Sequence, residues 1–478
     1  MRVALAVAML FGFFVIVLGL TVGLAGLVVY AFTTGHGGLG AIKLGLLAAV
    51  LAAAIGGAVL KAVKIKREPT GVPLTPEAQP ELWRVVDELA VIAGTRAPDD
   101  TRLVGDVNAA VWEETGLLGL RGGKRHLMIG LPLLAGLSVG ELRSVLAHEL
   151  GHYGGGHTKL SALTYRAKTA LAQTVENLED SFLRFPIGGY AKLYAMVAAS
   201  ANRQQELRAD QASVAAAGRV TAQNALRKIG PLDLAWDRFS DAYLALAPDA
   251  ERTPPVLTGF HSFLDDPENG AKLREVEVLM LDKEPKSRFD SHPPSRERIA
   301  AMESMTGPEH LADDRPSWVL LAGVPSLERE LVRDVGPAAD WPEVVALALT
   351  ARAEHLGGLV ANASRGVTAN GTLDEVLVAL GQGKLNEISN ELLKHGTPPS
   401  ERVGIFTELL GRLLVAELLR QGKASYQLNW GGPARLVLAD GSELDDPAAV
   451  VGPAVTDRLA VPAVRERVNA LCDRTLTA

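Results

Sequence analysis

Residues 144–152 read Ser-Val-Leu-Ala-His148-Glu149-Leu-Gly-His152, a His-Glu-x-x-His motif inside an amphipathic helical pattern. Residues four apart share a helix face, so the two imidazoles point the same way and can bind one tetrahedral metal ion. Glu149 stands beside the first of them, where its carboxylate can take a proton from an activated water. The leading expectation from this stretch is zinc-dependent peptide hydrolysis. The helix is signalled at both ends: Ser138 and Glu141 have the form of a capping box, and Gly154-Gly155-Gly156 closes the run.

A catalytic zinc takes three protein ligands and leaves one position open. The single cysteine, Cys472, excludes an intrachain disulfide and a cysteine-rich zinc cage and suits a reducing compartment, so the ligands must be His, Asp or Glu. Glu206 is the best third ligand. It lies in Gln-Glu206-Leu-Arg208-Ala-Asp210, where Asp210, one turn on, can orient a ligand histidine through its second ring nitrogen. Small Ala209 would let this helix pack close to the first. The plainer alternative is a solvated helix face carrying Glu206, Arg208 and Asp210.

The chain has 478 residues, enough for a membrane segment, a catalytic core and a further domain, and its formal charge is -7. No basic stripe with interleaved aromatics is present, so nucleic acid is not an expected partner. Residues 3–32 and 44–60 are apolar runs long enough to approach or exceed a bilayer span, which predicts a two-helix transmembrane hairpin over 1–66. The first run is too long for a signal peptide. Arg2 precedes it, and Lys61, Lys64, Lys66 and Arg67 follow the second, so positive-inside bias puts both ends in the cytoplasm. Lys43 argues weakly the other way. Gly19 and Gly23 offer a small-residue face that Ala52, Ala53, Gly56 and Gly57 could approach.

Beyond the hairpin, residues 67–80 read as a linker and 81–306 as a mixed domain of helices and strands. Leu82, Val85, Val86 and Leu89 repeat at helical spacing, and Thr101 to Gly130 reads as strands with a turn at Gly122-Gly123. Charged, Pro-containing sequence to Pro316 reads as a second linker. Residues 307–478 form a mostly helical region with two short strands between Ser425 and Glu443, and nothing there has ligand spacing.

Together with the two motifs above, Asp290-Ser-His292-Pro293-Pro294-Ser295-Arg-Glu-Arg298-Ile resembles the membrane metallopeptidases that include HtpX and the type I CAAX prenyl proteases. The resemblance covers roughly Glu81 to Met305. It implies an α+β, mainly helical, gluzincin-type core with a small edge-strand sheet, one Zn2+ per chain held by His148, His152 and Glu206, and Glu149 as general base. It also implies a membrane-anchored endopeptidase acting on protein or peptide substrates; with the charge bias above, the expected placement is multi-pass in the cell membrane with the catalytic domain on the cytoplasmic side. Asn108-Ala109 resembles the family's substrate-aligning element, or else simply begins a strand. His292 resembles a His-Pro element that could steady an oxyanion or orient another group; otherwise it merely precedes a helix start. Arg298 matches an arginine expected as a structural ion-pair partner.

The chain departs from the family in two respects. The stretch between the histidine motif and Glu206 is too charged for the further apolar spans of HtpX-like members. The many apolar segments of the prenyl-protease chamber are absent too, so cleavage of prenylated tails is not expected. The competing reading is a membrane-anchored zinc-binding sensor or scaffold without catalysis, against which the intact Glu149 argues.

Overall fold

A computed structural model describes residues 2–35, 38–64, 68–115, 122–154, 184–284, 293–309, 313–331, 335–393 and 397–472. Lys66, Arg67, Gly155, Gly156, Asp290 and His292 lie outside the described residues. The chain divides into two compact units, one of residues 1–234 and 273–327, the other of 235–272 and 328–478. The described structure is mostly helical with a small sheet.

The first unit begins with helices α1 (Arg2–Thr33) and α2 (Leu39–Lys64). A methyl group added at Gly19 or Gly23 would meet nothing within 4 Å among the described residues; Gly56 and Gly57, the partners expected for them, lie outside the described side chains. At Gly45 an added Cβ would make ordinary van der Waals contact with Val28 of α1 at 3.8 Å. By length and composition the described apolar stretches here, Thr21–Thr33 and Leu39–Ala49, are short.

Four strands follow: β1 (Val72–Pro73), β2 (Asp100–Val104), β3 (Ala109–Thr115) and β4 (Gly122–Gly130), in spatial order β1-β2-β4-β3. β2 runs parallel to β4, and β3 pairs antiparallel with β4 as an edge strand. Two sequence expectations are corrected here. Residues 67–80 are more than a linker, because β1 pairs with β2 and Leu74 is buried. Their proline and charge mark a solvent-facing path, while Val72 and Leu74 supply the apolar anchors. Gly122-Gly123 is not the turn; it opens β4, and an added Cβ on Gly123 would lie 2.3 Å from the Glu114 carbonyl oxygen. Glycine is needed there for close backbone approach at a bulge in β3.

Helix α3 (Pro80–Ile92) buries Leu82, Val85, Val86 and Leu89, the apolar repeat read from the sequence. With Leu127 and Ile129 of β4 these side chains contribute to the core of the unit. After α4 (Leu131–Gly136) come α5 (Val139–Gly151) and α6 (Arg184–Ala217), which pack along each other. The stretch to Pro316 also proves more than a linker. The Val139 and Gly140 N–H groups donate to the carbonyls of Arg315 and Asp313, and Ser138 bridges to Pro316, so this exposed, charged segment is tied to the start of α5 through its backbone.

In the second unit, Phe239, Phe260, Phe263 and Trp341 pack as a buried aromatic cluster. A separate helical core gathers Val376, Leu377, Phe406, Leu410, Leu414 and Val451. Strands β5 (Ala424–Gln427) and β6 (Arg435–Leu438) form an antiparallel pair. One described helix, Trp341–Ser364, is long and apolar enough to cross a membrane by composition, but it buries Trp341, Val344, Val345, Ala348 and Val360 as a core helix of this unit.

Candidate metal centre

Helix α5 starts at a full capping box. The Glu141 N–H donates to Ser138 Oγ, and the Ser138 N–H donates to the Glu141 carboxylate. Lys228 Nζ adds an ion pair to Glu141 at 2.7 Å. The apolar face of α5, including Leu142, Val145, Leu146 and Leu150, is buried, which turns His148, Glu149 and His152 toward the partly open side. Helix α6 lies close because the contact residues are small. A Cβ on Gly151 would stand 3.0 Å from Ala209 Cα and 3.1 Å from Ala212 Cβ, and the Ser144 and Ser213 hydroxyls bond at 2.5 Å.

That approach gathers His148, His152 and Glu206, whose nearest donor atoms lie within 4.8 Å of one another. His148 Nε2 is 3.6 Å from Glu206 Oε2, and His152 Nε2 is 3.7 Å from Glu206 Oε1. Around a tetrahedral ion with bonds of about 2.0–2.1 Å, ligand atoms stand roughly 3.4 Å apart; the two His–Glu separations are already near that spacing, and the two imidazoles, the wider pair of a group spanning up to 4.8 Å, must draw together to complete it. Two imidazoles and one carboxylate are the donor set of a catalytic zinc site, and the residues fit that ion.

Asp210, fully buried, places Oδ1 3.0 Å from His148 Nδ1. Arg298, on helix Ser295–Met302, donates from Nε to Asp210 Oδ2 at 3.0 Å and from Nη2 to Oδ1 at 2.5 Å. It also stands 3.7 Å from Glu206 Oε2. Burial disfavours the charged form of His148, but Asp210 and Glu206 outweigh it and push the imidazole up to about 9. Burial likewise works against the Asp210 carboxylate, and the His148 and Arg298 hydrogen bonds still hold it below the usual range. Burial raises the Glu149 carboxyl, with the nearby charge of His148 opposing.

Glu149 lies against the edge strand, where the backbone N–H of Val111 favours its charged form and works against burial. Ala109 opens that strand opposite Ile129, and exposed Asn108 immediately precedes it. The structure therefore brings together His148, Glu149, His152, Glu206, Asp210 and Arg298, and puts Asn108-Ala109 at the start of the same edge strand. His292 lies outside the described residues. Sequence reading missed Tyr153 and Arg125. The Tyr153 hydroxyl donates to the Val111 carbonyl at 3.0 Å, and the Arg125 guanidinium lies 4.7 Å from the Tyr153 ring centroid. Their partners are distant in sequence, and neither residue carries a motif.

No curated protein and no solved structure matches the chain. Residues 76–306, the segment that carries His148, Glu149, His152, Glu206, Asp210 and Arg298, match the model of Peptidase family M48.

Proposed function

We propose that this chain is a membrane-anchored, zinc-dependent endopeptidase that cleaves peptide bonds in misfolded or membrane-associated proteins. The observation that carries the reading is the convergence of His148, His152 and Glu206 with Glu149 beside them, inside the segment that matches the M48 family. His148 and His152, through Nε2, and Glu206 would hold the ion. When bound, zinc supplies Lewis-acid activation of water and of the scissile carbonyl.

The remaining chemistry belongs to the chain. Asp210, backed by Arg298, fixes the tautomer and plane of the His148 ring so that Nε2 faces the ligand position. Glu149 accepts a proton from the attacking water and later delivers it to the leaving amine, a task favoured by burial, which raises its carboxyl above the ordinary value. Strand β3 offers an edge along which an extended peptide can pair.

The apolar surface of α1 supports the membrane part of the reading. Val15, Ile16, Leu18, Val22 and Val29 are all exposed along it, a concentration that soluble surfaces rarely carry. The charge bias of the flanking Lys and Arg residues supports a catalytic unit on the cytoplasmic side. Detergent-purified wild type and Glu149→Gln, with zinc measured in both, test the chemistry on an unfolded protein substrate. Cleavage by the wild type alone at equal zinc loading is expected; undiminished cleavage by Glu149→Gln would overturn the assignment of the base.

A further inference from the structure

We infer that Tyr153 is a positioning residue for this cleavage: it pins the edge strand at Val111 and thereby sets the register in which an extended substrate meets Glu149. The inference rests on the peptidase reading above.

Backbone groups of an antiparallel strand alternate between its partner and its open side. The Asn108 carbonyl accepts the Gly130 N–H at 2.7 Å, so even-numbered residues of this strand turn their polar groups toward β4. Ala109, Val111 and Glu113 therefore turn theirs to the open edge. At Val111 the open-side carbonyl accepts the Tyr153 hydroxyl at 3.0 Å, just past the end of α5, and the N–H on the same side favours the charged form of nearby Glu149. Ala109 and Glu113 flank this point, each about 7 Å away along the strand.

Tyr153 is itself held at several points. Its ring lies against Arg125, which is only 4% exposed and donates to Thr95 Oγ1 at 2.8 Å, the Arg96 carbonyl at 2.6 Å and Glu113 at 3.1 Å. Thr95 Oγ1 donates in turn to the Tyr153 carbonyl at 3.0 Å. The next residue, Gly154, passes so near the end of α3 that an added Cβ would stand 2.4 Å from the Ala93 carbonyl oxygen. The phenol is thus a rigid strut between the metal helix and the edge strand. A peptide lying along β3 takes its register from Ala109 and Glu113, and its scissile bond falls opposite Val111, beside the base.

Tyr153→Phe keeps the ring on Arg125 and removes only the hydroxyl. The test compares wild type and variant on a short and a long fluorogenic peptide sharing one scissile bond, with zinc content, melting temperature and product masses measured alongside. Loss of one positioning hydrogen bond should lower kcat/KM on the long peptide by about three- to tenfold and on the short one by less than about twofold. The long peptide should also be cut at additional neighbouring bonds. Equal loss on both peptides, or no loss with unchanged cut sites, would show a merely structural tyrosine and overturn the inference. Wild type that cleaves neither peptide would overturn the peptidase reading and this inference with it, an outcome distinct from the other two. Should the phenylalanine variant melt early, the cut-site pattern at a temperature where it stays folded decides.

Discussion

Asp210 buttresses His148 from the side away from the metal position: Oδ1 of the buried carboxylate lies 3.0 Å from His148 Nδ1, and Arg298 clamps the same carboxylate through two donors. A charge buried this deeply persists because both partners are cationic or hydrogen-bonded to it. The arrangement joins three segments far apart in sequence into one support for a single ring.

Replacing Asp210 by Asn keeps the shape but removes the charge that orients the ring. Metal affinity should fall by about 10- to 100-fold, the usual cost of losing an outer-shell carboxylate. Competition with a chelating dye checks this; unchanged affinity would show that the ring is held by packing alone.

Metal binding should release a proton. Without the ion, His148 is pushed up to about 9 and carries a proton at neutral pH, whereas a ligand must be neutral. Apparent affinity should therefore rise with pH, about tenfold per unit between roughly pH 7 and 9, as expected for one proton released. In the same metal-free protein, the stability that His148 contributes is full below its ordinary value of 6.5 and is lost as pH rises through about 9. Calorimetry in buffers of different ionisation enthalpy measures the proton; release of none at pH 7 would contradict the assignment.

Gly151→Ala tests the approach of α5 to α6. The added methyl would stand 3.0 Å from Ala209 Cα, a backbone atom with no rotamer to yield. Overpacking of this kind costs about 1–3 kcal/mol and moves the two ligand-bearing helices apart. Both the melting temperature and zinc occupancy should fall. A variant with wild-type values for both would mean that the helices adjust freely.

Glu328 tests the second unit. It is buried and accepts the Leu257 backbone N–H, and burial raises its carboxyl above the usual 4.5. Its contribution to stability is therefore full below about 4.5 and lost as pH rises through the higher folded value. Glu328→Gln retains an acceptor for Leu257 and removes the buried charge. Its melting temperature should exceed that of wild type at pH 7, with the difference closing on acidification. A lower melting temperature at pH 7 would show that the ionised carboxylate is stabilising.

The amino-acid sequence by itself determined what depends on local spacing. His148 and His152 share a face because they are one helical turn apart, and Ser138 with Glu141 starts that helix wherever it packs. Leu82, Val85, Val86 and Leu89 foretold a buried helical stripe for the same reason. Glu206 and Asp210 stood out as candidates because they recur at one-turn spacing beside a small residue.

Only the tertiary structure decided the relations that span long separations in the chain. Arg298 reaches Asp210, Tyr153 reaches Val111, and Gly151 meets Ala209, and no periodicity encodes any of these contacts. The strands were legible as apolar segments, yet β1 and the parallel pairing of β2 with β4 were not, because strand pairing depends on which distant backbone groups face one another. The glycines show the same limit. Gly123 looks like a turn in sequence, but the 2.3 Å approach of the Glu114 carbonyl explains its place in a strand. Local chemistry is written in short spacings, whereas the geometry that makes it a site comes from packing between segments that the sequence keeps apart.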